Sequence, residues 1–249
     1  MARQKRIKSE TGIYHVMLRG MNKQQVFLDD EDNRKFLNVV AICKELSGFK
    51  LHAYCLMGNH VHLLIQEGDE PLGKVFKRIG DRYVYWYNLK YKRSGALFQG
   101  RYKSIPVNDD EYFISVLRYI HQNPVKAGIA DNCGDYIFSS YNTYMNPYYN
   151  SLCDTDFALD IIGTDEFTRI HEEPCVDNHL EISENRSICL TDNEAKTVFE
   201  KLTHCKTAKD FKKLPDDMQG AYVGLLRNNG LSIRQICNLT GLARYNIYK

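Results

Sequence analysis

At 249 residues, 43% of them hydrophobic, the chain has room for one large domain or a domain with a smaller partner, and enough apolar residues for a substantial core. Its net charge of +2 hides a strong segregation: residues 1–128 sum to +8, residues 129–185 to −11 and residues 186–249 to +5. No stretch approaches the ~18 apolar residues of a membrane span, and no apolar run follows the basic start, so a cytoplasmic protein without a membrane partner is expected.

Two basic blocks around an acidic one read as two polyanion-binding modules joined by a connector, although a solvated surface gives the same composition. The eight cysteines are scattered without a Cys-x-x-Cys pair, which fits reduced thiols rather than a zinc knuckle.

In chain order, residues 14–18 read as a first strand. Residues 29–46 read as a helix opened by Asp29-Asp30-Glu31-Asp32 and closed by Gly48. A second strand over residues 49–57 turns through Gly58-Asn59 into a third over 60–66. Residues 72–91 are helical in period, with Leu72, Val75, Phe76, Ile79, Tyr83 and Trp86 on one side and Lys74, Lys77, Arg78 and Arg82 toward the other. A fourth strand is expected over residues 97–107, with Arg101 and Lys103 on one face. The order βαββαβ is that of an α+β protein and fits a ferredoxin-like sandwich, an antiparallel sheet with helices on one face.

An added helix follows. Asn108, Asp109 and Asp110 are its cap candidates, Phe113, Val116, Tyr119 and Ile120 its core stripe, and its end is expected near Asn123 because Pro124 disfavours helical backbone before it. Beyond about residue 132 the period fades. The acidic stretch 154–184 predicts only a short helix around 157–162 and a loop near Pro174. A helical block opens at Thr191-Asp192-Asn193-Glu194 and ends, over 231–248, in a pattern resembling a helix-turn-helix. There Ile236, Leu242 and Ile247 are spaced to pack, Cys237 fills the small position and Gly241 makes the turn, so that Arg244, Tyr245, Asn246 and Lys249 would face DNA. The expected division is a domain over 1–130, an acidic connector over 131–185 and a helical module over 186–249.

Chemistry concentrates in two stretches. In Gly58-Asn59-His60-Val61-His62, strand alternation sends both imidazoles to one face with Cα atoms about 6.5–7 Å apart, within reach of one metal ion, although a half-buried strand accommodates the same pair. In Tyr119-Ile120-His121-Gln122-Asn123-Pro124, four-residue spacing brings Tyr119 and Asn123 within about 40° on a helix while His121 points away. Two histidines, a carboxamide and a phenol suggest a metal-assisted nucleophilic site.

These residues resemble the His-hydrophobic-His motif and tyrosine helix of the single-tyrosine HUH transposases, the IS200-like group, and especially the REP-associated tyrosine transposases. Other stretches share the resemblance in order across residues 10–145: Gly12-Ile13-Tyr14-His15-Val16 to Arg19-Gly20, Phe27-Leu28-Asp29-Asp30-Glu31-Asp32, the run from Gly95 to Ser104, Asn123-Pro124-Val125-Lys126-Ala127-Gly128, and Asp135-Tyr136 to Ser139-Ser140-Tyr141. The resemblance implies that the tyrosine helix lies against the sheet with its phenol toward the histidines. It also implies that His60, His62 and Asn123 bind the metal and that Tyr119 attacks single-stranded DNA, leaving a 5′-phosphotyrosine and a free 3′-OH.

Imidazole ligands alone suit zinc, whereas the resemblance implies Mg²⁺ or Mn²⁺. The implied partner is single-stranded DNA with hairpin or palindromic elements, with a homodimer as a further expectation. Lys74, Arg78, Arg82, Arg101 and Lys103 are the candidate DNA contacts in the first domain, and Arg244 and Asn246 in the last. The alternative is a non-catalytic DNA-binding regulator acting through the helix-turn-helix. A metal phosphodiesterase that activates water would not need Tyr119.

Overall fold

A computed structural model describes residues 6–146, 152–173, 192–229, 231 and 233–243, and divides the chain into two compact units, Met1–Leu180 and Glu181–Lys249. In the first unit the order is β1 (Ile13–Arg19), α1 (Asp30–Ser47), β2 (Lys50–Met57), β3 (His60–Gln66), α2 (Leu72–Lys90), β4 (Lys103–Val107), α3 (Asp110–Lys126), α4 (Tyr141–Met145) and α5 (Asp156–Glu172). The four strands form one antiparallel sheet in the order β2-β3-β1-β4.

Local sequence explains most boundaries. Asp29 accepts from the Asp32 backbone N–H while Asp32 reaches back, a reciprocal cap that contributes on the order of 1 kcal/mol, and Gly48 ends α1 at φ 62°. Gly20 follows β1 because a Cβ there would stand 2.1 Å from the Gln24 carbonyl oxygen. The two-residue turn Gly58-Asn59 pairs Met57 with His60 and is held by Val26 N–H to the Gly58 carbonyl and Gly20 N–H to that of Asn59.

Each face of the sheet is buried. Val16, Leu18, Tyr54, Leu56, Val61, Leu63 and Ile65 pack beneath α1 and α2, and the irregularity between Leu51 and Ala53 in β2 lets Leu51 join them. Tyr83 is fully buried there with its hydroxyl on the Val26 carbonyl; Trp86 is half-buried and Tyr85 exposed. The opposite face, with Ile13, Ala53, Cys55, Met57, Leu64 and Val107, is covered by Phe113, Val116, Leu117 and Ile120 of α3. Burying each such side chain contributes about 1.5–3 kcal/mol. Helices therefore flank the sheet on both faces.

Three expectations need correction. The fourth strand is Lys103–Val107 rather than 97–107: Gly95 and Gly100 turn the chain at φ 90° and 62°, and Phe98 makes only an isolated bridge with Gly20. The tyrosine helix continues past Asn123 to Lys126 with Pro124 inside its last turn, closed by the Ala127 N–H on the Asn123 carbonyl and by Gly128 at φ 65°. The third concerns the acidic connector expected over 131–185, whose described residues also pack onto the first domain, with the helix expected around 157–162 running on to Glu172. Ser140 N–H bonds the Tyr54 carbonyl and Leu56 N–H the Phe138 carbonyl, covering the free edge of β2, and α5 packs onto α3 with a break at Gly163.

In the second unit α6 (Asp192–Thr203), α7 (Ala208–Phe211), α8 (Asp216–Asn228) and α9 (Ile233–Thr240) enclose a core of Ala195, Phe199, Phe211, Val223, Leu226, Leu231 and Ile236. Gly241 follows α9 at φ 69°, and Cys237 and Leu242 pack at the margin. Arg244, Tyr245, Asn246, Ile247 and Lys249 lie outside the described residues. No helix among the described residues is long and apolar enough to cross a membrane, and the six cysteines among them are free thiols.

Candidate active site

Antiparallel register fixes who meets whom. Lys103, Met17, His62 and Cys55 form one row across β4, β1, β3 and β2, and Arg19 stands opposite His60. Directly opposed residues share a face, so His60, His62, His15 and Met17 all look toward the side on which α3 lies. The His60 and His62 ring centroids are 4.9 Å apart and nearly perpendicular. The Tyr119 ring, 3% exposed, stands edge-on 5.5 Å from His62 and 5.7 Å from His15.

Hydrogen bonds assign the imidazole protons. His60 Nδ1 lies 2.6 Å from Asn59 Oδ1, an acceptor, so the proton sits on Nδ1 and the lone pair on Nε2. His62 Nδ1 meets His15 Nε2 at 2.9 Å inside the fold. When His62 Nδ1–H donates, the lone pair of His62 is likewise on Nε2, and His15 keeps its own proton on a buried Nδ1 that makes no hydrogen bond. Burial pushes His15 down to about 3; burial and then the Arg19 charge push His60 down to about 4; burial, His15, His60 and Arg19 hold His62 well below the ordinary range. All three are therefore neutral near pH 7, the form in which imidazole binds metals.

Asn123, one turn beyond Tyr119, donates from its amide nitrogen to the Tyr119 carbonyl at 2.8 Å, so its oxygen is the end left for a cation. Among the described residues no three His, Cys, Asp or Glu side chains form a metal-binding group. Two imidazoles plus an amide oxygen is a sparse set for zinc and an acceptable one for a hard cation that keeps water or phosphate oxygens.

The expected DNA contacts fall in different layers. Lys103 shares the histidine face. Lys74, Arg78 and Arg82 belong to α2 beneath the other face; Arg78 is engaged by Glu70 at 2.8 Å and Ser47 at 2.7 Å, and Lys74 by Glu70 at 2.5 Å. Arg101 is exposed at a cleft of about 690 Å³ between α2 and the segment leading into β4.

Three residues near the site were not singled out in the sequence. His15 lies inside the resembling Gly12-Ile13-Tyr14-His15-Val16 stretch, but its place beside His62 follows only from strand register. Arg19, whose buried Nε makes no hydrogen bond, lies inside the resembling Arg19-Gly20 stretch. Lys126, with Nζ 4.8 Å from the Tyr119 ring centroid, is seven residues on and therefore on the same helix face, a spacing visible in the sequence.

Behind the tyrosine, His121 faces the opposite way into a buried chain. His171 Nδ1 lies 2.7 Å from the Phe167 carbonyl and must donate to it, so His171 Nε2 accepts from His121 Nδ1–H at 3.0 Å. His121 Nε2 then accepts from the Ser140 hydroxyl at 2.8 Å, whose oxygen accepts from the Tyr54 N–H at 2.9 Å. Burial holds His121 well below its ordinary range and His171 at about 4.

The paired imidazoles and the tyrosine helix lie within residues 8–123, which match the family described as "Transposase IS200 like". A Haemophilus influenzae protein described as a REP-associated tyrosine transposase is 27% identical over 154 residues, 57% of this chain and 86% of that one. The solved structure of a REP-associated tyrosine transposase bound to a REP hairpin is similar in fold, with TM-score 0.51 and 20% identity over 63% of this chain and 90% of that one.

Proposed function

We propose that this protein is a transposase that cleaves and rejoins single-stranded DNA at hairpin-forming sequences, with Tyr119 as nucleophile. The observation that carries the reading is the Tyr119 ring seated 5.5 Å from His62, on the sheet face that carries His60 and His62. The phenol oxygen attacks phosphorus, the bond to the 3′ oxygen breaks, and the phenol proton ends on the departing 3′-OH. DNA stays joined to the enzyme through a 5′-phosphotyrosine. The bond energy is conserved, so a later 3′-OH reverses the step without a nucleotide cofactor. His60, His62 and the Asn123 oxygen would hold Mg²⁺ or Mn²⁺, which supplies positive charge to the phosphate when bound. Arg19 and Lys103, on the same face, bind phosphate oxygens, and Lys126 over the ring favours the phenolate.

The strand order β2-β3-β1-β4 with two crossover helices supports a ferredoxin-like sandwich, and α9 followed by Gly241 supports the first half of a helix-turn-helix adding DNA affinity. The deciding experiment incubates full-length protein and Tyr119→Phe with end-labelled, hairpin-flanked single strands and Mg²⁺. Wild type should give a protein-linked 5′ end and Tyr119→Phe none, with binding within a few-fold. An adduct from Tyr119→Phe would reject the assignment.

A further inference from the structure

The family match ends at Asn123, yet the helix that carries Tyr119 is gripped from behind by residues far beyond it. Arg118 donates to the Glu173 carbonyl at 2.7 Å. Gln122 donates to the carbonyls of His171 at 3.0 Å and Glu173 at 2.8 Å. Between them His121 donates to His171 at 3.0 Å, and Ser140 ties the same ring to the backbone of β2. His171 is in turn set by Phe167, whose ring stacks on Tyr144 at 4.7 Å and 11°.

Through the His121 ring the donors run one way, from the Tyr54 N–H and the Ser140 hydroxyl to His121 and on to His171. At 3.6 residues per turn His121 points about 160° from Tyr119, Arg118 about 100° and Gln122 about 60°, so bonds from three directions other than that of the phenol fix the rotation of the helix about its own axis. That rotation decides where the Tyr119 oxygen stands.

We infer that His171, with Gln122, is a positioning residue for the transposase reaction: α5 belongs to the catalytic domain and holds the tyrosine helix in its reactive rotation. The inference rests on reading Tyr119 as the nucleophile. An error of about 1 Å in such a group costs on the order of a hundredfold in rate. His171 touches neither DNA nor the reacting atoms, so its loss should appear in the chemical step and not in binding.

The test uses full-length protein with His171→Ala, His171→Gln and Gln122→Met. Glutamine can accept the His121 proton as His171 does. Methionine removes both Gln122 bonds with little change of volume and leaves no unpaired amide oxygen in place of the buried one present now. Folding is followed by emission of Trp86, the single tryptophan of the chain, on α2 beneath the other face of the sheet.

For His171→Ala and Gln122→Met we expect native Trp86 emission, hairpin-flanked DNA affinity within about threefold of wild type, and single-turnover adduct formation at saturation slowed at least about tenfold. His171→Gln should recover to within about threefold. Folded His171→Ala and Gln122→Met that both react within twofold of wild type would overturn the inference. Should wild type itself form no adduct, the nucleophile reading has failed, and amide exchange across residues 117–123 decides the positioning claim alone. Exchange at least about tenfold faster in His171→Ala supports it, and unchanged exchange overturns it.

Discussion

At the scale of single residues, each of the paired imidazoles is bonded to a neighbour outside the pair, His60 to Asn59 and His62 to His15. His15 meets His62 Nδ1 from the adjacent strand, and outer partners of metal-binding histidines are commonly worth 10–100-fold in affinity. His15→Leu should therefore weaken Mn²⁺ binding by about that factor while leaving the sheet intact, as titration calorimetry would show; unchanged affinity would remove His15 from the site. Arg19 acts through charge. Its substitution by methionine should raise the His60 pKa above about 4 in an NMR titration of the imidazole signals and weaken single-strand binding. A His60 titration that does not move would mean that burial alone keeps it neutral. His60→Ala or His62→Ala should abolish metal-dependent cleavage, because two remaining ligands hold a divalent ion poorly; chelator-resistant cleavage by wild type would contradict this.

At the scale of elements, what could be read in advance followed local rules. The parity of His60 and His62, the four-residue step from Tyr119 to Asn123 and the Asp29 and Gly48 ends of α1 are short-range patterns. What escaped depended on distant partners. Arg78 looked free for phosphate until Glu70 and Ser47 came beside it. The apolar run at Leu97-Phe98 looked like strand because nothing in it marks the turns at Gly95 and Gly100 as decisive. Pro124 suggested a stop, but it falls in the last turn of a helix already packed along its length.

The α3–α5 contact carries a pH signature. His171 has its folded pKa lowered from 6.5 to about 4 and His121 is lowered well below 6.5, so the unfolded chain takes up protons first. Their contribution is complete above about pH 6.5 and is lost as pH falls toward 4, at about 1.4 kcal/mol per pH unit for each ring. The urea midpoint followed by Trp86 should drop steeply between pH 6.5 and 4.5, and less steeply in His171→Gln. A midpoint that is flat across this range would show that these rings are not buried neutral.

At the scale of the whole molecule, charge and compactness divide the chain at different places. The basic-to-acidic boundary near residue 129 falls inside the first unit, because acidic α5 is used for packing while the next compact unit begins at Glu181. Composition alone could not separate an acidic linker from an acidic structural helix, since both present carboxylates to water. A fragment ending at Leu180 should fold and still form the adduct at saturating DNA. Its affinity should be weaker and its salt dependence flatter, by roughly one unit of log–log slope for each phosphate that the missing unit would have neutralised. Equal affinity and slope in the fragment would exclude the last unit from DNA binding.

The grip of Glu173 and His171 on α3 also orders events during synthesis. A nascent chain that has emerged only as far as Lys126 holds every strand and the tyrosine, but not the segment that locks the tyrosine helix from behind. With Tyr119 as the nucleophile, full competence to cut DNA is expected only some fifty residues later in translation, and chains terminated near Lys126 should be folded in part and slow in the chemistry.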